Sequence, residues 1–218
     1  MTKRKADGVE RVYERVKRRA MEFGFDPGQK VKEGELATEF GVSRIPVREA
    51  LNRLVTEGFM SFIPNRGFFC RDIDSGEILA LYQVRAALET WSFKTACRTV
   101  SDDALAKFVA FWSSEGATAR FKSLDIYDAE FHFALAKLSG NPILLKQLRQ
   151  IEDKILVFRN LELEDDDRRG KTLEEHRRVV SLLARRQAGQ GSLLLEKHIL
   201  GSAENAIAAA RSRFSNLR

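Results

Sequence analysis

Apolar residues recur at intervals of three and four along most of this chain. Val9, Val12, Tyr13, Val16, Ala20 and Phe23 fall on one face, which predicts an amphipathic helix over 9–23. Gly24 and the run Asp26-Pro27-Gly28 end it in a turn. A short second helix over 33–40 stops at Gly41. Ser43 is placed to cap a third helix over 44–57, with Pro46 in its first turn and Gly58 after its end. Residues 59–63 and 68–70 are short, Phe-rich runs that predict two strands joined by the turn Pro64-Asn65-Arg66-Gly67. After Ser75 the helical period returns and persists. It predicts helices over 75–97, 101–115, 122–139, 142–161, 171–187 and 190–213. The breaks are Ser101-Asp102-Asp103, Ser139-Gly140-Asn141-Pro142, an acidic loop around Glu164–Asp167, and the stretch from Gln187 to Gly191.

That order implies a mainly α protein in two parts. Residues 1–71 read as a winged helix-turn-helix with a small β-ribbon, and 72–75 as a polar connector. Residues 76–218 read as an all-α bundle of six helices. A plain helical hairpin over 33–57 is the simpler alternative, and the wing and the arginines weigh against it. Charge adds to the picture. Residues 1–71 hold 15 Lys/Arg against 10 Asp/Glu, whereas the remaining 147 hold 22 against 21, so most of the net +6 sits in the first third. A basic excess of this kind suits a phosphate-bearing partner. Cys70 and Cys97 show neither metal nor redox spacing, which predicts free thiols and a cytoplasmic setting. The sequence shows no membrane span and no signal-peptide pattern.

On this reading the first part binds double-stranded DNA. Ser43, Arg44, Ile45, Pro46 and Arg48 open the third helix, and the first residues of a recognition helix face base edges in the major groove. Arg44 and Arg48 are one turn apart and share a face; arginine can fork onto guanine O6 and N7 or clamp a phosphate. Val42, Val47, Ala50, Leu51, Leu54 and Val55 lie on the other side and are expected to pack inward. Asn65, Arg66 and Gly67 form the wing tip, where an arginine can enter a narrow minor groove. One winged helix covers one half-site, so a twofold homodimer on a near-palindromic operator is expected.

The second part carries all three histidines. His132 follows Asp128 by four residues, so the two share a helical face, and His176 and His198 lie on the last two predicted helices. Imidazole and carboxylate together suit a divalent ion such as Zn, Ni, Co or Mn. Spacing alone equally allows three unrelated core or surface histidines.

The run Gly41-Val-Ser-Arg-Ile-Pro-Val-Arg-Glu-Ala-Leu51, followed by Leu54 and Glu57-Gly58, resembles the signature of the GntR family of bacterial transcription regulators. Pro27-Gly28, Glu35-Leu36-Ala37 and Arg66-Gly67 fit it too, over about residues 9–71. One departure is Gly34, where the family often has a basic residue that contacts DNA; that contact is expected to be lost. Arg85 and Glu89, Asp128 and His132, Gly140-Asn141, Glu175-His176 and Lys197-His198 resemble the FadR-type subfamily with its ligand-binding FCD domain, and six helices look like its VanR-type branch.

The resemblance implies a repressor in which Asp128, His132, His176 and His198 hold the metal. A small carboxylate metabolite would fill the remaining positions and control operator affinity. It also implies effector contacts from Arg85 and Asn141, although Arg85 can instead pair with Glu89 and Asn141 can instead cap the helix at Pro142. A purely structural metal without effector is the alternative. A metal-dependent hydrolase is disfavoured, because no His-Glu-x-x-His motif is present and the winged helix would have no purpose. The expectation is therefore a regulator and not an enzyme.

Overall fold

The computed structural model describes residues 2–22, 24–114 and 116–214. Phe23 and Glu115, the predicted ends of two helices, and the last four residues of the predicted bundle lie outside them. Contacts divide the chain into two units, Met1–Ile73 and Asp74–Arg218.

The first unit contains α1 (Thr2–Met21), β1 (Lys30–Val31), α2 (Glu33–Phe40), α3 (Arg44–Thr56), β2 (Met60–Ile63) and β3 (Gly67–Cys70). Val12 and Val16 of α1 and Val47, Ala50, Leu51 and Leu54 of α3 are buried in one core with Phe68 of the sheet, and Val42 and Val55 pack against it. The arginine-bearing side of α3 is thereby left outward. Gly41 ends α2 at φ 64, a left-handed conformation that a side chain would strain. The wing tip uses the same region at Asn65 (φ 62), a residue type that tolerates it, and at Gly67 (φ 92).

The sheet has three antiparallel strands in the order β1-β3-β2, with Phe62 opposite Phe68 and Lys30 opposite Phe69. The sequence reading contained only two of them. β1 is two residues long and carries no period of its own; it is defined by its pairing with β3. Ser43 does stand at the N-cap of α3, but its hydroxyl makes no capping bond.

The second unit contains α4 (Ser75–Thr99), α5 (Asp102–Trp112), a 3-10 turn (Thr118–Arg120), α6 (Leu124–Lys137), α7 (Pro142–Glu162), α8 (Asp166–Ala184) and α9 (Ala188–Arg213). Asp74 caps α4 by accepting from the Gly76 N–H at 2.8 Å, and Ser101 caps α5 by accepting from Ala104 N–H. α8 starts five residues before its predicted start. Asp165 accepts from the Arg168 N–H at 2.8 Å, and Asp166 and Asp167 sit in the first turn. Carboxylates there favour a helix N-terminus, so the acidic run taken for a loop initiates the helix. α4 and α9 pack along much of their lengths, and α6, α7 and α8 surround them. No helix among the described residues is long and apolar enough to cross a membrane.

Candidate functional site

Asp128 and His132 on α6, His176 on α8 and His198 on α9 meet inside the second unit. All four are buried, and each offers a ligand atom within 4.8 Å of the others. His132 Nε2 lies 3.2 Å and His176 Nε2 3.3 Å from His198 Nε2. Asp128 Oδ1 is 3.3 Å from His176 Nε2 and 3.7 Å from His132 Nε2. Donors about 2.1 Å from a shared ion stand about 3.0–3.4 Å apart, which three of these four spacings match, the 3.7 Å pair being looser. Three imidazole nitrogens facing one point otherwise gain little from each other.

The far side of each ring explains why they converge. His132 Nδ1 donates to Glu89 Oε2 on α4 at 2.5 Å, and His198 Nδ1 donates to Glu175 Oε2 on α8 at 2.7 Å. A proton held on Nδ1 leaves the Nε2 lone pair facing the cluster, the usual second layer around a metal-bound histidine. His176 is fixed by packing: Phe131 stacks on it at 3.9 Å between ring centroids. Burial pushes His132 well below the ordinary imidazole range, with Arg85 adding to the effect, and pushes His176 down to about 3. Both rings are therefore neutral near pH 7, as metal ligation requires. Burial alone would raise Asp128, but Arg159 and then His132 and His176 hold it well below the ordinary carboxylate range.

Around this cluster lies a buried ionic network. Arg85 Nε contacts Glu89 at 2.7 Å and Glu152 at 3.0 Å. Arg159 donates from Nη2 to Glu152 at 2.5 Å, and its Nε sits 2.7 Å from Asp128 Oδ2 without its N–H aimed at that oxygen. Arg168 binds Glu162, Glu175 and the Ser202 hydroxyl. Five carboxylates (Glu89, Asp128, Glu152, Glu162, Glu175) thus face three guanidiniums (Arg85, Arg159, Arg168). The excess of two negative charges equals the charge of a divalent ion. Without such a cation, burial raises the Glu89 and Glu162 carboxyls toward protonation. The residues present fit a divalent metal on geometry, protonation and charge.

Of the predicted effector contacts, Arg85 is part of this network, paired as its helical alternative supposed. Its Nη2 is buried with no hydrogen-bond partner among the described residues and lies 4.0 Å from Asp128 Oδ2. Asn141 is placed elsewhere: its side-chain oxygen accepts from the N–H groups of Ile143 and Leu144, both at 3.1 Å, so it caps α7. Glu152, Arg159, Glu162 and Arg168 were missed by the sequence reading. A signal existed for three of them. Leu144, Leu148, Ile151, Ile155 and Phe158 define the buried stripe of α7, and Glu152, Arg159 and Glu162 fall on it. Charges on an apolar stripe are unusual enough to mark a site.

In the first unit, Arg44, Arg48, Asn65, Arg66 and Gly67 line one groove between α2, the start of α3 and the wing. Lys30 and Lys32, absent from the predicted set, line it too. Ser43 and Ile45 are exposed on the first turn of α3, Ile45 at 58%, and Pro46 is half-buried. Arg48 is not free: its Nε and Nη2 donate to the two carboxylate oxygens of Glu33 at 3.0 and 2.9 Å. The guanidinium of Arg44 lies beside Gly34, where a Cβ would come within 3.3 Å of its Nη2.

Comparison with known proteins adds to this geometry. Residues 9–70 match the profile of bacterial regulatory proteins of the gntR family, and residues 80–201 match the FCD domain. The Nta operon transcriptional regulator of Aminobacter aminovorans is 36% identical over 182 residues, 83% of this chain and 85% of that protein. The HTH-type transcriptional repressor GlaR of Escherichia coli is 25% identical over 199 residues, 86% of this chain and 90% of its own length. Among solved structures, a transcriptional regulator GntR from Rhodococcus sp. RHA1 superposes with a TM-score of 0.69 at 22% identity, covering 92% of this chain and 97% of that one. E. coli McbR/YncC superposes at 0.68 with 19% identity, covering 95% and 99%. At such identities the two structures share the fold with this chain.

Proposed function

Because the chain belongs to the GntR family and carries an FCD domain, and is thus a DNA-binding transcriptional regulator and not an enzyme, we propose that a metal-centred pocket in its helical unit controls operator binding. Asp128, His132, His176 and His198 hold the ion, of the Zn, Ni, Co or Mn type, since imidazole with one carboxylate suits these. When bound, the ion supplies positive charge and open positions for the carboxylate of a small metabolite. Arg85 holds that ligand through Nη2, which has no hydrogen-bond partner among the described residues. The observation that carries this reading is the convergence of three Nε2 atoms, two of them with Nδ1 anchored on Glu89 and Glu175.

The DNA face comprises Ser43, Arg44, Ile45, Pro46 and Arg48 on α3 with Asn65, Arg66 and Gly67 on the wing. Arginine and the exposed Ile45 suit guanine edges and thymine methyl groups respectively. Two copies act as a repressor on a near-palindromic operator. The chain passes from β3 at Cys70 to α4 at Ser75 in a few residues, so a ligand that shifts α4 through Arg85 and Glu89 alters the presentation of the DNA-binding unit. It can do so only by the difference in its affinity for the two arrangements, typically about 1–3 kcal/mol.

Replacing His176 and His198 together by alanine is the test, with metal content, carboxylate binding and operator affinity all measured. The expected result is loss of metal and of the carboxylate response with DNA binding largely kept. One metal per chain and an unchanged response in the double variant would overturn the reading. Loss of metal from a protein whose operator affinity never responded to any carboxylate would leave the ion a structural role.

A further inference from the structure

The pairing of Glu33 with Arg48 has a chemical consequence for how α3 reads DNA. A guanidinium carries five N–H bonds, on a side edge (Nε and Nη2) and an end edge (Nη1 and Nη2). Glu33 occupies the side edge with both carboxylate oxygens. The end edge, with one Nη1 hydrogen and the second Nη2 hydrogen, remains available. The Glu33 side chain is 18% exposed, sheltered on the first turn of α2, whereas that of Arg48 is 66% exposed on the groove that α2 shares with α3 and the wing. Arg44, in the same groove, has no ion pair or hydrogen bond among the described residues, and its guanidinium rests beside Gly34.

We propose that Glu33 is a positioning residue that sets DNA sequence specificity: it buttresses Arg48 so that the end edge of the guanidinium forms a pre-aimed fork for guanine O6 and N7. The proposal rests on α3 being the base-reading helix. Two effects follow from the carboxylate. It freezes a flexible side chain before DNA arrives, so less conformational freedom is lost when the fork meets its base. It also cancels the charge of Arg48 toward phosphates, which weakens non-specific binding, where Arg48 would meet a phosphate, more than the specific complex, where it meets guanine. Both effects widen the gap between specific and non-specific binding. Arg44, with no such carboxylate, contributes its full charge to phosphate attraction.

The experiment uses the full-length protein and two probes: a duplex recovered from a randomised pool by the wild-type protein, and its scrambled counterpart. Binding of wild type, Glu33→Gln, Arg48→Ala and the double variant is measured over a range of salt. Glu33→Gln is expected to tighten binding to the scrambled duplex and steepen its salt dependence by up to about one counterion, since one more cation is free to meet phosphate. The ratio of specific to non-specific affinity is expected to fall about tenfold, and in the Arg48→Ala background the same substitution should change that ratio little. Glu33→Asp, too short to grip both nitrogens from the same backbone position, should lie between wild type and Glu33→Gln.

A Glu33→Gln variant that keeps the wild-type ratio, or lowers it equally with and without Arg48, overturns the buttress. Arg48→Ala with full affinity for the recovered duplex overturns the reading of α3 itself. Thermal unfolding of each variant separates these results from damage to α2: the salt slope and the affinity ratio belong to folded protein, and a folding defect lowers the active fraction for both duplexes together.

Discussion

Glu175 shows how much a single residue outside the ligand set carries. Its carboxylate holds the His198 ring hydrogen and an Arg168 N–H together. Burial alone would raise it, but the His198 hydrogen bond and the Arg168 charge bring it down to about 2. Glu175→Gln frees the His198 ring to turn or change tautomer without removing a ligand. Metal affinity is expected to fall about 10–100-fold, as is usual when such an outer partner is lost. Competition against a chromophoric chelator reads this directly, and unchanged affinity would show that packing alone orients the ring. On the DNA face, Arg44→Ala and Arg48→Ala should each weaken specific binding by about 1–3 kcal/mol. Both should stay folded, since Arg44 is exposed and Arg48 gives up only a solvent-facing pair with Glu33. Titration of the recovered duplex measures the loss, and full affinity in the double variant would remove α3 from the interface.

At the scale of elements, close packing decides against propensity where α9 meets α4. Gly191 sits in the first turn of α9, and a Cβ there would stand 2.1 Å from Cζ of Phe93, a fully buried ring on α4. Helix propensity alone would favour Gly→Ala by about 1 kcal/mol. Overpacking a buried ring costs about 1–3 kcal/mol or more, so Gly191→Ala is expected to be destabilising overall. Denaturant unfolding gives the sign. In the first unit, α1 and α3 are tied by Glu57, whose oxygens accept from the Tyr13 hydroxyl at 2.9 and 2.7 Å beside Lys17 and Arg53. Burial alone would raise this carboxyl, but the Tyr13 hydrogen bond and the Lys17 charge overcome it and hold the group below its ordinary value. The folded form therefore binds the proton more weakly than the unfolded form. Its stabilisation is present above the ordinary carboxylate range, about pH 4–5, and is lost as pH falls through the lowered folded value. Glu57→Gln should thus lose less stability than wild type on acidification from pH 6 to pH 3. Parallel acid dependences in the two proteins would remove Glu57 from the account.

For the molecule as a whole, the proposed metal would be a folding partner as well as a sensor element, because five buried or half-buried carboxylates face three guanidiniums. A ligand bound only by the folded state stabilises it by about 2.7 kcal/mol at a hundred times its dissociation constant. Chelation should accordingly lower the melting temperature of the helical unit and leave that of the winged unit nearly unchanged, because no ligand of the cluster belongs to residues 1–73. A melting curve indifferent to chelator and to added Zn, Ni, Co or Mn would count against the metal. Light scattering should give a dimer free and on DNA; a monomer in both states would contradict the two-half-site arrangement.

The sequence by itself determined the order and type of nearly every element, because a three-and-four or alternating apolar period is a local property that tertiary contacts reinforce. It located the turn at Gly41 and the tip at Asn65 to Gly67, where backbone conformation restricts residue choice. It also offered four ligand candidates, through the one-turn spacing of Asp128 and His132, the scarcity of histidine and the resemblance to the FCD domain. Tertiary structure decided what no local period encodes. β1 exists through its pairing with β3, and the acidic run before Arg168 became a helix start once Asp165 found the Arg168 N–H. Glu33 and Arg48 are fifteen residues apart, and Glu89 lies forty-three residues from His132, so neither pairing can be read from spacing. The four candidate ligands were visible one by one; that their donor atoms converge, amid five carboxylates and three guanidiniums, follows from how five helices pack.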